Sequence, residues 1–235
     1  MSFNPAKEWE GYLSPTPFKE YAARYADFFR MRRDGGIVEL RLHTNDGPYV
    51  HSAAAHNAWT RVWQDVGNDP DNQVLIITGT GDKWFTGNAE TMNPKPAAEL
   101  HPDHIFQRMI HGWKLIESFV NNIDIPTISA VNGPGMHTEF AVMCDITLSA
   151  PNADFMDPHF WLGSPPGDGQ GMALQALLGA KRAAYYIYAA KPIPASKALE
   201  WGLINDVLPR GPLLERAWDL ARFRAANKTQ RSGSG

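Results

Sequence analysis

A chain of 235 residues with a formal net charge of -3 and 43% hydrophobic residues has the bulk to bury one sizeable core. It carries no basic excess, so nucleic acid is not an expected partner, and apolar runs such as Gln73–Thr78 are too short to span a bilayer, so no membrane is expected either. The N-terminal residues lack a basic stretch followed by an apolar core, so no secretory signal is expected, and the single cysteine, Cys144, excludes an internal disulfide and fits a reducing, cytoplasmic compartment.

Phe18–Arg33 reads as a short helical lead-in, closed by the turn signal Gly35-Gly36. Ile37–His43 alternates as a strand. Ala54–Val66 places Ala55, Trp59, Val62, Trp63 and Val66 at helical spacing. Val74–Thr78 is rich in β-branched residues and reads as a buried strand, ended by Gly79-Thr80-Gly81. His104–Val120 is an amphipathic helix. The preceding His101-Pro102-Asp103-His104 has metal-like spacing without a further ligand cluster, and reads as a helix start capped by Asp103. Pro126–Val131 and Ile146–Ala150 are two further strands. Met172–Leu178, Lys181–Ala189 and Ala195–Trp201 read as helices, Leu203–Val207 as a short strand, and Leu213–Ala226 as a last helix. The eight tryptophans are assigned to packing first.

Strands that alternate with helices imply βαβ units and a mainly parallel sheet. Such sheets carry their sites at the carboxyl ends of the strands. The chemistry therefore belongs in the loops His43–His56, Gly79–Glu90 and Asn132–Glu139. No Gly-x-Ser-x-Gly elbow occurs in the chain, which counts against a serine hydrolase. Gly167-Asp168-Gly169-Gln170-Gly171 lacks the strand and spaced acid of a dinucleotide fingerprint.

The motifs fall in a particular order. Asn132-Gly133-Pro134-Gly135-Met136-His137-Thr138-Glu139 leads to Cys144-Asp145, then to Asp157-Pro158-His159 and to Pro166-Gly167-Asp168-Gly169. Over about residues 15–210 this order resembles the crotonase (enoyl-CoA hydratase/isomerase) superfamily. Its usual pattern is a glycine-rich turn, a Glu, "CD", a "PE" pair and "PGAG". Here His159 stands at the second glutamate and Asp168 at the small residue of "PGAG". That exchange, with His137 in the loop, is similar to the β-diketone hydrolase (6-oxocamphor hydrolase) group within the superfamily.

The resemblance implies an α/β fold: a crotonase-like ββα spiral with a mainly parallel sheet and a shortened C-terminal helical part. Length points to one domain over residues 1–230, and Arg231-Ser232-Gly233-Ser234-Gly235 reads as a linker or disordered tail; the resemblance implies a homotrimer or dimer of trimers. It also implies site roles. His159 would be the base that activates water, and Asp168 its orienter. His137 and His56 would hold the two carbonyl oxygens of a small 1,3-diketone. The N–H groups of Gly87 and Met136 would form an oxyanion hole, and Glu139 would line the substrate. Retro-Claisen cleavage to a keto acid by these groups requires no metal and no cofactor. Each residue also has a structural reading. Asp168 between glycines is a turn former, His56 lies at a helix start, His137 is loop structure, and Glu139 is a carboxylate favoured at a helix N-terminus. A CoA-thioester hydratase or isomerase, kept open by Glu139 and Gly87, and a non-catalytic family member are the alternatives.

Overall fold

The computed structural model describes residues 13–87, 101–161 and 166–227, together with Gly11, Glu99 and Gly163. The six-stranded sheet has the order β1-β2-β3-β4-β5-β8. Its strands are β1 (Phe29–Asp34), β2 (Ile37–Leu42), β3 (Val74–Thr78), β4 (Thr127–Val131), β5 (Ile146–Ser149) and β8 (Asp206–Val207). β1 pairs antiparallel with β2, and all later neighbours are parallel. A two-stranded ribbon, β6 (Asp154–Phe155) with β7 (Ile193–Pro194), stands apart. The helices are α1 (Phe18–Arg24), α2 (Ala53–Asn68), α3 (Pro102–Asn122), α4 (Glu139–Val142), α5 (Gln170–Leu178), α6 (Ala180–Tyr188), α7 (Ala195–Glu200) and α8 (Arg210–Ala226).

The central strands β3 and β4 are buried on both faces, as parallel strands covered by helices must be. The two-residue period of β3 assigns each face. Leu75 and Ile77 join Trp59, Trp63, Phe85 and Phe140 on one side. Val74 and Ile76 join Leu213, Ala217, Trp218 and Ala221 of α8 on the other. Glu39 of β2 faces α8 and is buried, yet it is fully met. Trp218 Nε1 donates to it at 2.6 Å, and Arg32 and Arg41 pair with it at 2.7 and 2.8 Å. Burial alone would raise its pKa, but these donors hold it below the usual glutamate value.

On the site-bearing face, Trp59 is the central plate. Phe140 stacks on it at 4.5 Å with an 8° interplanar angle, and Phe29 meets it edge-on at 4.6 Å. The indole N–H of Trp59 donates to Tyr49 Oη at 2.8 Å, which satisfies its polar edge inside the core. Cys144 closes this layer. It is buried, its thiol donates to the Phe140 carbonyl at 3.1 Å, and burial pushes its pKa up to about 12.

Three expected elements are corrected. The lead-in helix stops at Arg24, because Phe29–Asp34 pairs with β2 as a hairpin in the register Phe29↔Leu42 to Asp34↔Ile37. Gly35 and Gly36 turn it with φ of 56° and 83°, the left-handed pair such a tight hairpin needs. The expected strand Leu203–Val207 is reduced to Asp206–Val207. Asn205 precedes it and caps Thr147 N with its side chain at 2.7 Å. The cap of α3 is His101, which accepts from Asp103 N at 3.3 Å, with Pro102 at the first helical position. The expected tail 231–235 lies outside the described residues.

Trp59→Ala is expected to lower stability by about 3–5 kcal/mol, read as a fall in the urea midpoint. Phe223→Ala, an exposed apolar residue of α8, is expected to stay within about 0.5 kcal/mol. Equal shifts in the two variants would remove Trp59 from its central place.

Candidate active site

The loops that follow β3 and β4 lie against each other at the carboxyl end of the sheet. Asn132 Nδ2 donates to the carbonyls of Gly81 and Lys83 at 3.0 and 2.9 Å. Trp84 N donates to Pro134 O at 3.1 Å, and Met136 N to Phe85 O at 3.0 Å. The glycines make this approach possible: a Cβ on Gly133 would overlap the Asp82 carbonyl, and one on Gly135 the backbone of Phe85. Gly135 N also donates to Asp154 Oδ1 of β6 at 3.3 Å. Thus the turn after β4 is held from two sides. It delivers His137 in a left-handed conformation (φ 53°), which is strained for a residue with a side chain.

Two further segments converge on His137. Asp157 and His159 follow β6, and Asp168 precedes α5 across Gly169, whose φ is 99°. Thr138 Oγ1 donates to Gln170 Oε1 at 3.3 Å and ties the His137 loop to the start of α5. His137 Nδ1 lies 2.8 Å from Glu139 Oε1 and 3.0 Å from Asp168 Oδ2. The same Asp168 oxygen lies 3.3 Å from His159 Nε2. The other ring nitrogen of His159, Nδ1, lies 2.7 Å from Asp157 Oδ1. Glu139, Asp157 and Asp168 are 1%, 2% and 4% exposed, so three carboxylates and two imidazoles share one enclosed space.

That burial sets the proton balance. For His137, burial disfavours the charged ring, but the carboxylates of Glu139 and Asp168 outweigh it and hold the pKa well above the ordinary value. For Asp168, burial disfavours the anion, but His137 and His159 hold it below the usual aspartate range. The two form an ion pair at neutral pH. Glu139 goes the other way: burial, with Asp168 beside it, pushes it up to about 7 despite His137. For His159, burial again works against the cation, and the hydrogen bond to Asp157 with the charges of Asp168 and Asp157 raises the pKa overall.

The structure therefore brings His137, His159, Asp168 and Glu139 together. His56 stands further off, in the first turn of α2, and its ring meets that of His51 at 5.4 Å. His51 in turn meets His137 at 5.2 Å. Gly87 lies beside Met136 and His51, and the Met136 N–H expected at an oxyanion hole is engaged within the protein. It is already donated to Phe85 O, because the loop runs along residues 84–85. Asp168 is shared by both imidazoles. Residues 88–90 lie outside the described residues.

Two members of the site were missed. Asp157 carries the shorter contact to His159; its signal was an Asp-Pro-His turn, in which an Asp side chain caps the N–H two residues on. His51 is buried, with Nδ1 2.9 Å from Tyr49 Oη; nothing in its sequence context separates it from His43 or His56. The donor atoms of His137, Glu139 and Asp168, and those of Asp157, His159 and Asp168, each lie within 4.8 Å of one another, a spacing that would admit a divalent cation. The ring nitrogens His137 Nδ1, His159 Nδ1 and His159 Nε2 instead face carboxylates within 3.3 Å.

Fold and site together define a crotonase-type α/β protein, and the comparisons agree. The enoyl-CoA hydratase/isomerase pattern matches residues 33–231, and the chain belongs to that family. It is 30% identical over 206 residues to the carnitinyl-CoA dehydratase of Escherichia coli K12, covering 84% of this chain and 74% of that one. It is 35% identical over 158 residues to the crotonyl-CoA hydratase of Syntrophomonas wolfei, covering 66% and 59%. Among solved structures it resembles a β-diketone hydrolase from the cyanobacterium Anabaena sp. PCC 7120 bound to (S)-3-oxocyclohexyl acetic acid. That match has a TM-score of 0.82 and 33% identity, covering 89% of this chain and 83% of that one. The enoyl-CoA hydratase of Bacillus anthracis follows with a TM-score of 0.73 and 25% identity, covering 85% and 77%. Among the described residues, no helix is long and apolar enough to cross a membrane.

Glu139 gives a pH-dependent test. Its folded pKa of about 7 exceeds the ordinary 4.5, so the folded state binds the proton more tightly. Stability is then unaffected below about pH 4.5 and falls as pH rises from about 4.5 through about 7. Glu139→Gln removes this penalty and keeps an acceptor for His137. Its melting temperature, relative to the parent, is expected to climb across that window and then level off. A difference that is flat with pH would show that Glu139 ionises normally.

Proposed function

We propose that this chain hydrolyses a C–C bond of a 1,3-diketone by a retro-Claisen reaction. The observation that carries this reading is the Asp168 oxygen set between the rings of His137 and His159. Water attack on a carbonyl needs a base near neutral pH, and an imidazole serves. His159 takes a proton from water as the oxygen bonds to one carbonyl carbon. His137, held as a cation by Asp168, donates to an oxygen of the diketone and stabilises the charge that develops there. The tetrahedral intermediate then breaks its C–C bond, giving a carboxylic acid and an enolate. The proton held at the site returns to the enolate carbon, so the sum is diketone plus water to a carboxylic acid and a ketone, joined as one keto acid where the cleaved bond lies in a ring. The likeness to the Anabaena β-diketone hydrolase, bound to a keto acid, supports this reading.

A second reading rests on Glu139. A fully buried carboxyl with a pKa of about 7 suits proton transfer to or from a CoA thioester, and two relatives are named for CoA substrates.

The two separate by mutation. The parent, given a panel of cyclic and acyclic 1,3-diketones without added CoA or metal, is expected to release keto acid from the cyclic members, or a carboxylic acid and a ketone from the acyclic ones, detectable by mass spectrometry. His159→Ala is expected to lose at least about 100-fold of that rate with its fold intact by circular dichroism. Full turnover in the variant removes His159 from the mechanism. Hydration of crotonyl-CoA that survives His159→Ala and disappears in Glu139→Gln establishes the second reading instead.

A further inference from the structure

The geometry points to Asp157 as the positioning residue of His159: it fixes which ring nitrogen carries the proton and leaves Nε2 as the atom that accepts one from water. This rests on the reading of His159 as the base. Asp157 Oδ1 accepts twice from the same residue, from the His159 backbone N–H at 2.9 Å and from ring Nδ1 at 2.7 Å. One oxygen thus sets both the path of the loop and the rotation of the ring. Pro158 stands between them and has no N–H of its own, so the carboxylate is left to His159.

Asp168 is not placed for this task. It contacts Nε2, not Nδ1, at a longer 3.3 Å, and the same oxygen serves His137 at 3.0 Å. The ring makes its hydrogen bond through Nδ1, to Asp157, while the 3.3 Å approach of Nε2 to Asp168 is an ion contact only. A carboxylate only accepts, so the proton of a neutral His159 lies on Nδ1, and Nε2 faces the side where His137 and Asp168 converge. A turn alone would be served by a neutral Asn or Ser. Here a full carboxylate is kept where its second oxygen, Oδ2, is buried and meets no hydrogen-bond donor among the described residues. That arrangement is unfavourable for stability and is explained by a charge held against the ring. The groups that face His159 are Asp157 on its own loop, Asp168 from the segment before α5, and His137 from the loop before α4.

The test uses the full chain with 15N-labelled histidine, in the parent, Asp157→Asn and Asp157→Ala. Asp157→Asn keeps an acceptor on Nδ1 but removes the charge. Its His159 is expected to keep the Nδ1–H tautomer and to titrate about one pH unit lower. In Asp157→Ala the Nδ1–H tautomer is expected to give way to a mixture. On a diketone that the parent cleaves, kcat in either variant is expected to fall on the order of 100-fold, with KM little changed. A His159 tautomer and titration midpoint the same as the parent's in both variants would overturn the assignment. The near-isosteric Asn variant keeps the test decisive should the Ala variant fail to fold. If the parent cleaves no diketone, the proposed reaction falls, while the histidine spectra still decide the role of Asp157.

Discussion

One carboxylate oxygen stands between two imidazoles, and the site is organised around it. Asp168 Oδ2 lies within 3.3 Å of both His137 and His159, in a space from which water is largely excluded. Charge in such a place is tolerated only when it is paired. His137, Glu139, His159 and Asp168 therefore cannot ionise independently. His137 stays charged because Asp168 does, and Glu139 keeps its proton towards neutrality because burial, with Asp168 beside it, disfavours its charge. The outcome is a group of side chains in which protons are shared and readily moved, which is what acid–base chemistry at neutral pH requires.

Holding these groups in register falls to the layer beneath them. Glu139 opens a helix of four residues, α4, too short to fix its own direction. Its second residue, Phe140, lies flat on Trp59. Phe85, from the loop after β3, packs against His51 and His137 at 4.7 Å each. Aromatic plates thus transmit the rigidity of the sheet to the loops, and the glycines at 133 and 135 let the two loops approach closely enough to be gripped. The left-handed strain at His137 persists because its neighbours are fixed on both sides.

Much of this was legible in the sequence, for identifiable reasons. β3 and α2 carry uninterrupted apolar periodicity, and both appear where that periodicity places them. Of the loops that a parallel sheet singles out, the one after β4 delivers His137 and Glu139, whereas Asp157, His159 and Asp168 come from the segments after β6 and before α5. What was not legible depends on contacts between distant segments. Arg30, Arg32 and Arg33 conceal the alternation of β1, whose pairing is set by the Gly35-Gly36 turn and by Glu39 on the neighbouring strand. The engagement of Met136 N–H by Phe85 is a backbone event between two loops, and no side chain announces it. Asp157 was visible as a residue but not as a partner, because Asp168 offered a family precedent at the same histidine.

Cys144 carries a consequence of its own. Its thiol is enclosed, bonded to the carbonyl of Phe140 and, with a pKa pushed up to about 12, almost never a thiolate at neutral pH. While this layer is closed, a thiol reagent finds nothing to attack. The carbonyl that holds the thiol belongs to the residue stacked on Trp59, one position after Glu139. Any opening that bares the sulfur must therefore disturb the shelf that carries the site. The chain contains its own clock: the pace at which this one sulfur is alkylated counts how often the floor of the site comes apart.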